Sequence, residues 1–202
     1  RGFGARSTFG IRGVRLYVDG IPATFPDGQG QITNVDLGSV DRIEVLRGPY
    51  SALYGNSSGG VVQVFTEDGA PTPTFDVSLA GGSDGLWRIG TKLSGTSGEN
   101  AALSYVLGAS HFETRGYRDH SAAERNVGNV KLGLRLDATS RLTLLANSVA
   151  LPRAQDPLGL TRALFDADPH GVDPAALQFD TRKSVAQSQF GLIYERRIDP
   201  AN

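Results

Sequence analysis

The chain has 202 residues, no cysteine and no methionine, and 20 Lys and Arg against 21 Asp and Glu leave a net charge of −1. Without cysteine there are no disulfides, thiolate metal sites or thiol nucleophiles, and balanced charge gives no basic stripe for a nucleic-acid partner. No apolar run approaches the ~18 residues of a transmembrane helix, which leaves open a membrane barrel, whose strands alternate and stay near neutral in hydropathy.

Residues 1–68 read as compact, mostly β sequence with special turns. Residues 11–18 alternate, with Val14, Leu16 and Val18 on one face and Arg15 and Tyr17 on the other. Asp19-Gly20-Ile21-Pro22 and Pro26-Asp27-Gly28 supply turns. Residues 40–46 form a second strand, ended by Gly48-Pro49. One helical turn follows at residues 50–54, with Gly55 as its cap. Gly59-Gly60 then leads into residues 61–65, an apolar β-branched run that suits a strand buried on both faces. A phosphate-cradle reading of Gly59-Gly60 fails, because no Lys-Ser/Thr follows and a strand comes next.

Ala70-Pro71-Thr72-Pro73-Thr74 is a linker, and beyond it the pattern becomes simple. Phe75, Val77 and Leu79 alternate with polar or small neighbours; so do Trp87, Ile89 and Leu93, then Leu103, Tyr105, Leu107 and Ala109. Val130, Leu132, Leu134 and Leu136 form the clearest stripe. Residues 142–149 are weaker, and Phe190, Leu192 and Tyr194 close the series. This predicts about six strands of roughly ten residues, the length of tilted membrane-spanning strands. Apart from a tight first turn at Ser83-Asp84-Gly85, short and long connections alternate, the longest covering residues 152–184 with short helices at 160–167 and 174–179. Trp87, Phe112, Tyr117 and Tyr194 stand near strand ends, where interfacial girdles form. Gly90, Gly108, Gly133 and Gly191 on the polar face suit a strongly bent wall. The stripes alone serve a soluble β-sandwich and a membrane barrel equally.

The motifs of residues 1–68 break the tie. Arg1-Gly2-Phe3-Gly4, Val18-Asp19-Gly20-Ile21-Pro22, Val40-Asp41-Arg42-Ile43-Glu44-Val45-Leu46-Arg47-Gly48-Pro49, Ser51-Ala52-Leu53-Tyr54-Gly55 and Gly59-Gly60-Val61-Val62-Gln63-Val64 resemble, in order and spacing, the plug domain of TonB-dependent outer-membrane transporters of the siderophore-receptor type. The resemblance runs on through the linker into the strands. It implies a mainly β chain: the C-terminal part of a mixed α/β plug domain at 1–68, a linker at 69–74, and at 75–202 the first strands of a 22-stranded transmembrane β-barrel, incomplete in this chain. The segment that contacts the TonB complex and most barrel strands are expected outside this sequence, which opens at Arg1 without an initiator.

The implied activity is uptake of a ferric siderophore or similar scarce metal chelate across the outer membrane of a Gram-negative bacterium. The implied partners are that chelate, the TonB complex and outer-membrane lipid; no cofactor beyond the transported ligand is expected. By resemblance, plug loops carrying Arg6, Ser7, Thr8 and Phe9, then Thr24, Phe25, Asp27, Gln29 and Gln31, bind the ligand, against the plain reading of polar loop surface. Arg1 and Arg47 are implied to pair with glutamates of the barrel wall and seat the plug; the plain reading is a solvated arginine at a strand end. His111, His120 and His170 lie too far apart in sequence for a metal site, and the loop histidines read as solvated. No base, nucleophile and oxyanion arrangement accompanies Asp27 and Asp36, so no catalysis is expected. Two other readings stand beside transport: a signal-transducing receptor of the same fold, and a soluble β-rich binding module.

Overall fold

The structure, a computed structural model, describes residues 13–23, 35–55 and 57–198. The chain divides into two compact units, Arg1–Gly69 and Ala70–Asn202.

In the first unit, strands β1 (Val14–Val18), β2 (Ile21–Pro22), β3 (Val40–Arg47) and β4 (Gly60–Thr66) form one sheet in the order β2-β1-β4-β3. β1 runs parallel to β4, and the other two pairs are antiparallel. Asp19 and Gly20 adopt φ of 47° and 79°, the two left-handed positions that a tight hairpin between right-twisted strands demands. The apolar run of β4 occupies the centre of the sheet. Its Val61 and Val64 point to opposite faces and are 0% and 3% exposed, so the strand is buried from both sides.

The segment between β3 and β4 is shaped by backbone geometry. Gly48 ends β3 at φ 129°, and helix α1 (Ser51–Tyr54) makes a single turn closed by Gly55 at φ 73°. Register places Tyr17 beside Gln63 and Arg15 beside Val61 on one face, and Tyr54 packs there. Its hydroxyl accepts from Gln63 Nε2 at 3.2 Å, its carbonyl accepts from Arg15 Nε at 3.3 Å, and its ring meets Tyr17 edge-on at 5.5 Å. On the same face Arg42 lies 3.8 Å above the ring of its cross-strand neighbour Phe65.

The second unit is a six-stranded antiparallel meander: β5 (Thr74–Gly81), β6 (Trp87–Ser97), β7 (Leu103–Thr114), β8 (Ala123–Arg135), β9 (Ser140–Gln155) and β10 (Arg182–Arg196). Residues 70–73 belong with it: Ala70 donates to Ser94 Oγ, and Thr96 Oγ1 donates to the Pro71 carbonyl. Register aligns Phe75, Leu93, Leu107, Val130, Ala146 and Phe190 in one row across all six strands. The neighbouring row, on the opposite face, reads Asp76, Lys92, Gly108, Asn129, Asn147 and Gln189. Among the described residues β5 and β10 remain sheet edges, so no barrel closes within them.

The strands run from 8 to 16 residues, mostly longer than the ten that their apolar stripes mark. Past the stripe the ladder continues with polar and aromatic side chains, among them the half-buried Arg125 over the ring of its neighbour Phe112, and Arg153 paired with Glu113. The long connection accordingly shrinks from 152–184 to 156–181. Pro152, which reads as a strand end, is absorbed inside β9 where the register slips against both neighbours, between Glu124 and Asn126 on one side and Lys183 and Val185 on the other. Within that connection α2 spans Arg162–Ala167 and α3 spans Pro174–Phe179. The weak alternation of residues 142–149 has a cause too, since Val149 on the polar face is 2% exposed and breaks the pattern.

Candidate functional site

Burial on the meander is inverted relative to a soluble domain. On the apolar face Phe75, Val77, Leu79, Phe190, Leu192 and Tyr194 are all exposed, Leu79 at 76% and Phe190 at 80%. The face carrying Asn129, Asn147 and Gln187 holds the buried Ser94, Val106, Val127, Thr143 and Val149. Along β10 the two faces alternate, the apolar positions exposed and the polar ones half-buried. A soluble sandwich turns its apolar stripe to the core; this sheet turns it away, as lipid requires.

Polar contacts cap the apolar band at the long-loop end. Trp87 Nε1 donates to Glu113 Oε2 at 3.1 Å, Arg153 pairs with Glu113 at 3.3 Å, and the Trp87 ring lies 4.6 Å from the His111 ring. His111 Nδ1 is 2.6 Å from Asn126 Oδ1. At the other end Tyr194 donates to Ser140 Oγ at 3.3 Å. The 11 residues of β6 join these limits; at ~3.3 Å per residue and ~40° tilt they cover about 25 Å, the height of an outer-membrane apolar band. Trp87 and Tyr194 thus hold girdle positions. Phe112 does not: strand parity puts it on the polar face between Arg88 and Arg125, and Tyr117 lies in a loop against His170. Glycines on the polar face accommodate their neighbours' side chains, as a Cβ on Gly90 would stand 2.6 Å from Ser78 Oγ.

Beyond the band, residues 115–122 and 156–181 dock on each other. Arg118 donates to the carbonyls of Leu158 (2.7 Å), Gly171 (2.9 Å) and Pro157 (3.2 Å). His170 Nδ1 lies 3.0 Å from the Tyr117 carbonyl, and the two rings stack at 4.1 Å. His120 differs from its expected solvated state: its side chain is 8% exposed, with Nε2 2.9 Å from the Thr181 carbonyl. Three backbone acceptors gathered from distant residues make Arg118 the chief organiser of this region. In the sequence it is one polar loop residue among several, with no local signal to mark it.

At the opposite end the turn of residues 136–139 is built on Asp137, whose Oδ1 accepts from Thr139 N (2.7 Å), Thr139 Oγ1 (2.8 Å) and Ser140 N (2.8 Å). Those bonds, the Thr139 hydroxyl first, lower its pKa to about 2.

Of the ligand-binding and anchoring residues expected in the plug, Arg47 alone is described. It is exposed at the end of the edge strand β3, and among the described residues its side chain forms no ion pair or hydrogen bond. Arg1, Arg6, Ser7, Thr8, Phe9, Thr24, Phe25, Asp27, Gln29 and Gln31 lie outside the described residues.

An exposed apolar band backed by a polar face, capped by polar rims and preceded by a small mixed sheet, defines an outer-membrane β-barrel protein with a plug-like unit. The family model described as TonB-dependent Receptor Plug Domain matches residues 1–62. The vitamin B12 transporter BtuB of Photobacterium profundum is 33% identical over 92 residues, covering 44% of this chain and 15% of its own length. The pesticin receptor of Yersinia enterocolitica is 28% identical over 185 residues, covering 84% of this chain. In three dimensions the unliganded ferric citrate transporter FecA superposes with a TM-score of 0.73 at 24% identity, over 94% of this chain and 31% of FecA. Residues 1–62 thus carry the plug domain of TonB-dependent receptors, outer-membrane proteins of Gram-negative bacteria, and the chain as a whole is similar to receptors and transporters of that kind. It spans about a quarter or less of the curated relatives it matches, 27% of the pesticin receptor and 15% of BtuB.

Proposed function

We propose that the whole protein imports a ferric siderophore or a similar scarce metal chelate across the outer membrane, energised through the TonB complex. The observation that carries this reading is the direct succession of a plug-family sequence at 1–62 and a strand meander whose apolar face is exposed. Its relatives are receptors and transporters, and the protein is read as a carrier, without catalysis of its own. The domain division is read as plug to residue 68, linker at 69–74 and barrel from residue 75.

In this reading Arg6, Thr8, Phe9, Thr24, Phe25, Asp27 and Gln29 line the ligand side of the plug. Arg1 and Arg47 anchor the plug to carboxylates of the barrel wall, and the docked loops 115–122 and 156–181 lie on the cell exterior. The arginines suit bidentate pairing with carboxylates, and the loop residues mix donors, acceptors and rings as a chelate with an organic skirt requires. The decisive experiment is uptake of radiolabelled iron presented as a panel of ferric chelates, by cells with and without the full-length receptor and with TonB intact or deleted. Receptor- and TonB-dependent accumulation of one chelate is expected. Uptake of none, in cells that hold the receptor in the outer membrane, overturns the substrate class.

A further inference from the structure

The docked loops shape an open, solvent-facing cleft of about 540 Å³, lined by Tyr117, Arg118, Leu160, Arg162, Phe165 and Pro169, within the size range of small-molecule sites. We propose that this cleft is a pre-formed seat for a planar, negatively charged aromatic group, with Arg118 both shaping it and supplying its charge; the proposal rests on the chelate-transport reading and names the chemistry of one part of the ligand.

The charge argument concerns which cation is already neutralised. Arg162 is paired with Asp166 at 2.8 Å across one helical turn. Arg118 forms no ion pair among the described residues; its three bonds go to the backbone carbonyls of Pro157, Leu158 and Gly171. Carbonyls satisfy N–H groups without cancelling charge. A guanidinium carries five N–H groups, so two of Arg118's, one on each Nη, remain to donate charge-assisted bonds to an anion.

The walls favour a ring. Tyr117 and Phe165 line the cleft as aromatic surfaces beside Leu160 and Pro169, and flat groups bind between such surfaces through dispersion and offset stacking. Tyr117 is itself fixed, by its stack on His170 at 4.1 Å and by its carbonyl's contact with His170 Nδ1 at 3.0 Å. Asp119 N–H donates to the His170 carbonyl at 3.0 Å and completes the seam. Every bond that shapes the cleft lies within the protein, so ligand binding has little loop ordering to oppose it.

The test uses the full-length receptor in detergent and three small probes: salicylate, the neutral ring salicylamide, and the ring-free anion cyclohexanecarboxylate. Saturation-transfer NMR should show salicylate preferred over both controls, and Phe165→Ala should weaken salicylate at least tenfold. Arg118→Gln should abolish the preference for salicylate over salicylamide and raise amide exchange across residues 156–181. Equal binding of all three probes, or unchanged salicylate affinity in Phe165→Ala with the loops still protected, overturns the proposal. Uptake plays no part in these readings. A receptor that imports a chelate but shows no such preference sinks the cleft alone; one that prefers salicylate but imports no chelate sinks the transport reading alone.

Discussion

Asp19 clasps Thr66 across 47 residues of chain: its carboxylate accepts the Thr66 N–H at 2.9 Å and the Thr66 hydroxyl at 2.5 Å. The same residue turns the β1–β2 hairpin at φ 47° and donates its own N–H to the Val64 carbonyl at 2.8 Å. Aspartate and asparagine tolerate that left-handed conformation where alanine does not. Asp19→Ala should therefore cost about 2–3 kcal/mol, from lost charge-assisted bonds plus backbone strain. Asp19→Asn, which keeps the turn and one acceptor, should cost about half of that. Denaturant unfolding of the plug, read by protease protection in the full receptor, gives the order; equal losses for the two variants would refute the division of roles.

Gly60 and Gly20 make a matched pair for testing close approach against backbone strain. Both have positive φ, at 140° and 79°, but a Cβ on Gly20 meets nothing within 4 Å, whereas one on Gly60 would stand 2.5 Å from the Leu46 carbonyl oxygen. Gly20→Ala should cost about 1–2 kcal/mol. Gly60→Ala must also push β3 from β4 at Arg47, the pairing partner of Gly60, and should cost about 4 kcal/mol or more. Receptor whose plug resists protease equally in both variants would show that the β3–β4 junction yields easily.

Arg47 tests the anchoring reading. Being exposed and unpartnered among the described residues, it should contribute within about ±0.5 kcal/mol to the folding of its own unit. If it pairs with a wall carboxylate in the whole receptor, Arg47→Ala should lower the urea concentration that exposes the plug to protease, and Arg47→Lys should recover only part of the loss. Superimposable urea profiles for wild type and Arg47→Ala would remove the anchor.

The fold was legible where local chemistry and period agree. Gly55 as a helix cap, Asp19-Gly20 as a turn, α3 at residues 174–179 and the six alternating strands each follow from spacing or dihedral need. What escaped depends on contacts between distant residues. The bulge that carries β9 through Pro152 exists only against its two neighbours. Phe112 sits near a strand end like a girdle residue, yet parity turns it to the polar face. Arg118 gains its place from three carbonyls some 39 to 53 positions away, a relationship that no window of sequence contains.

Asp137 makes the turn of residues 136–139 sensitive to acid. Its folded pKa, about 2, lies below the ordinary carboxylate value because the bonds from Thr139 and Ser140 favour the ionised form. A lowered folded pKa means that the stabilisation is complete above the unfolded pKa, near 3.8, and disappears as pH falls through about 2. The carboxyl signal of selectively labelled Asp137 should titrate with a midpoint near 2, and Thr139→Ala should move it upward. A midpoint at the ordinary value would mean that the turn is open in solution.

The two faces of the meander should respond oppositely to charge. Leu107 lies in the central row of the apolar face, flanked by Leu93 and Val130; an arginine there would face hydrocarbon near the bilayer midplane, at about 2–4 kcal/mol. Gln187 stands on the opposite face, half-buried on β10 across from Val149, its Oε1 buried without a hydrogen-bond partner among the described residues. That face lines the lumen of a barrel, away from lipid, and an arginine there brings donors to the unsatisfied site. Leu107→Arg should thus sharply lower the fraction of receptor that migrates as the folded, heat-modifiable band, while Gln187→Arg should leave most of it folded. A soluble β-rich module would also suffer from Leu107→Arg, because its apolar face would pack against a core. Detergent separates the two cases: the module folds without it, whereas a barrel wall needs an apolar phase for its exposed stripe. Folded receptor that requires detergent and tolerates Gln187→Arg but not Leu107→Arg fits the barrel wall alone.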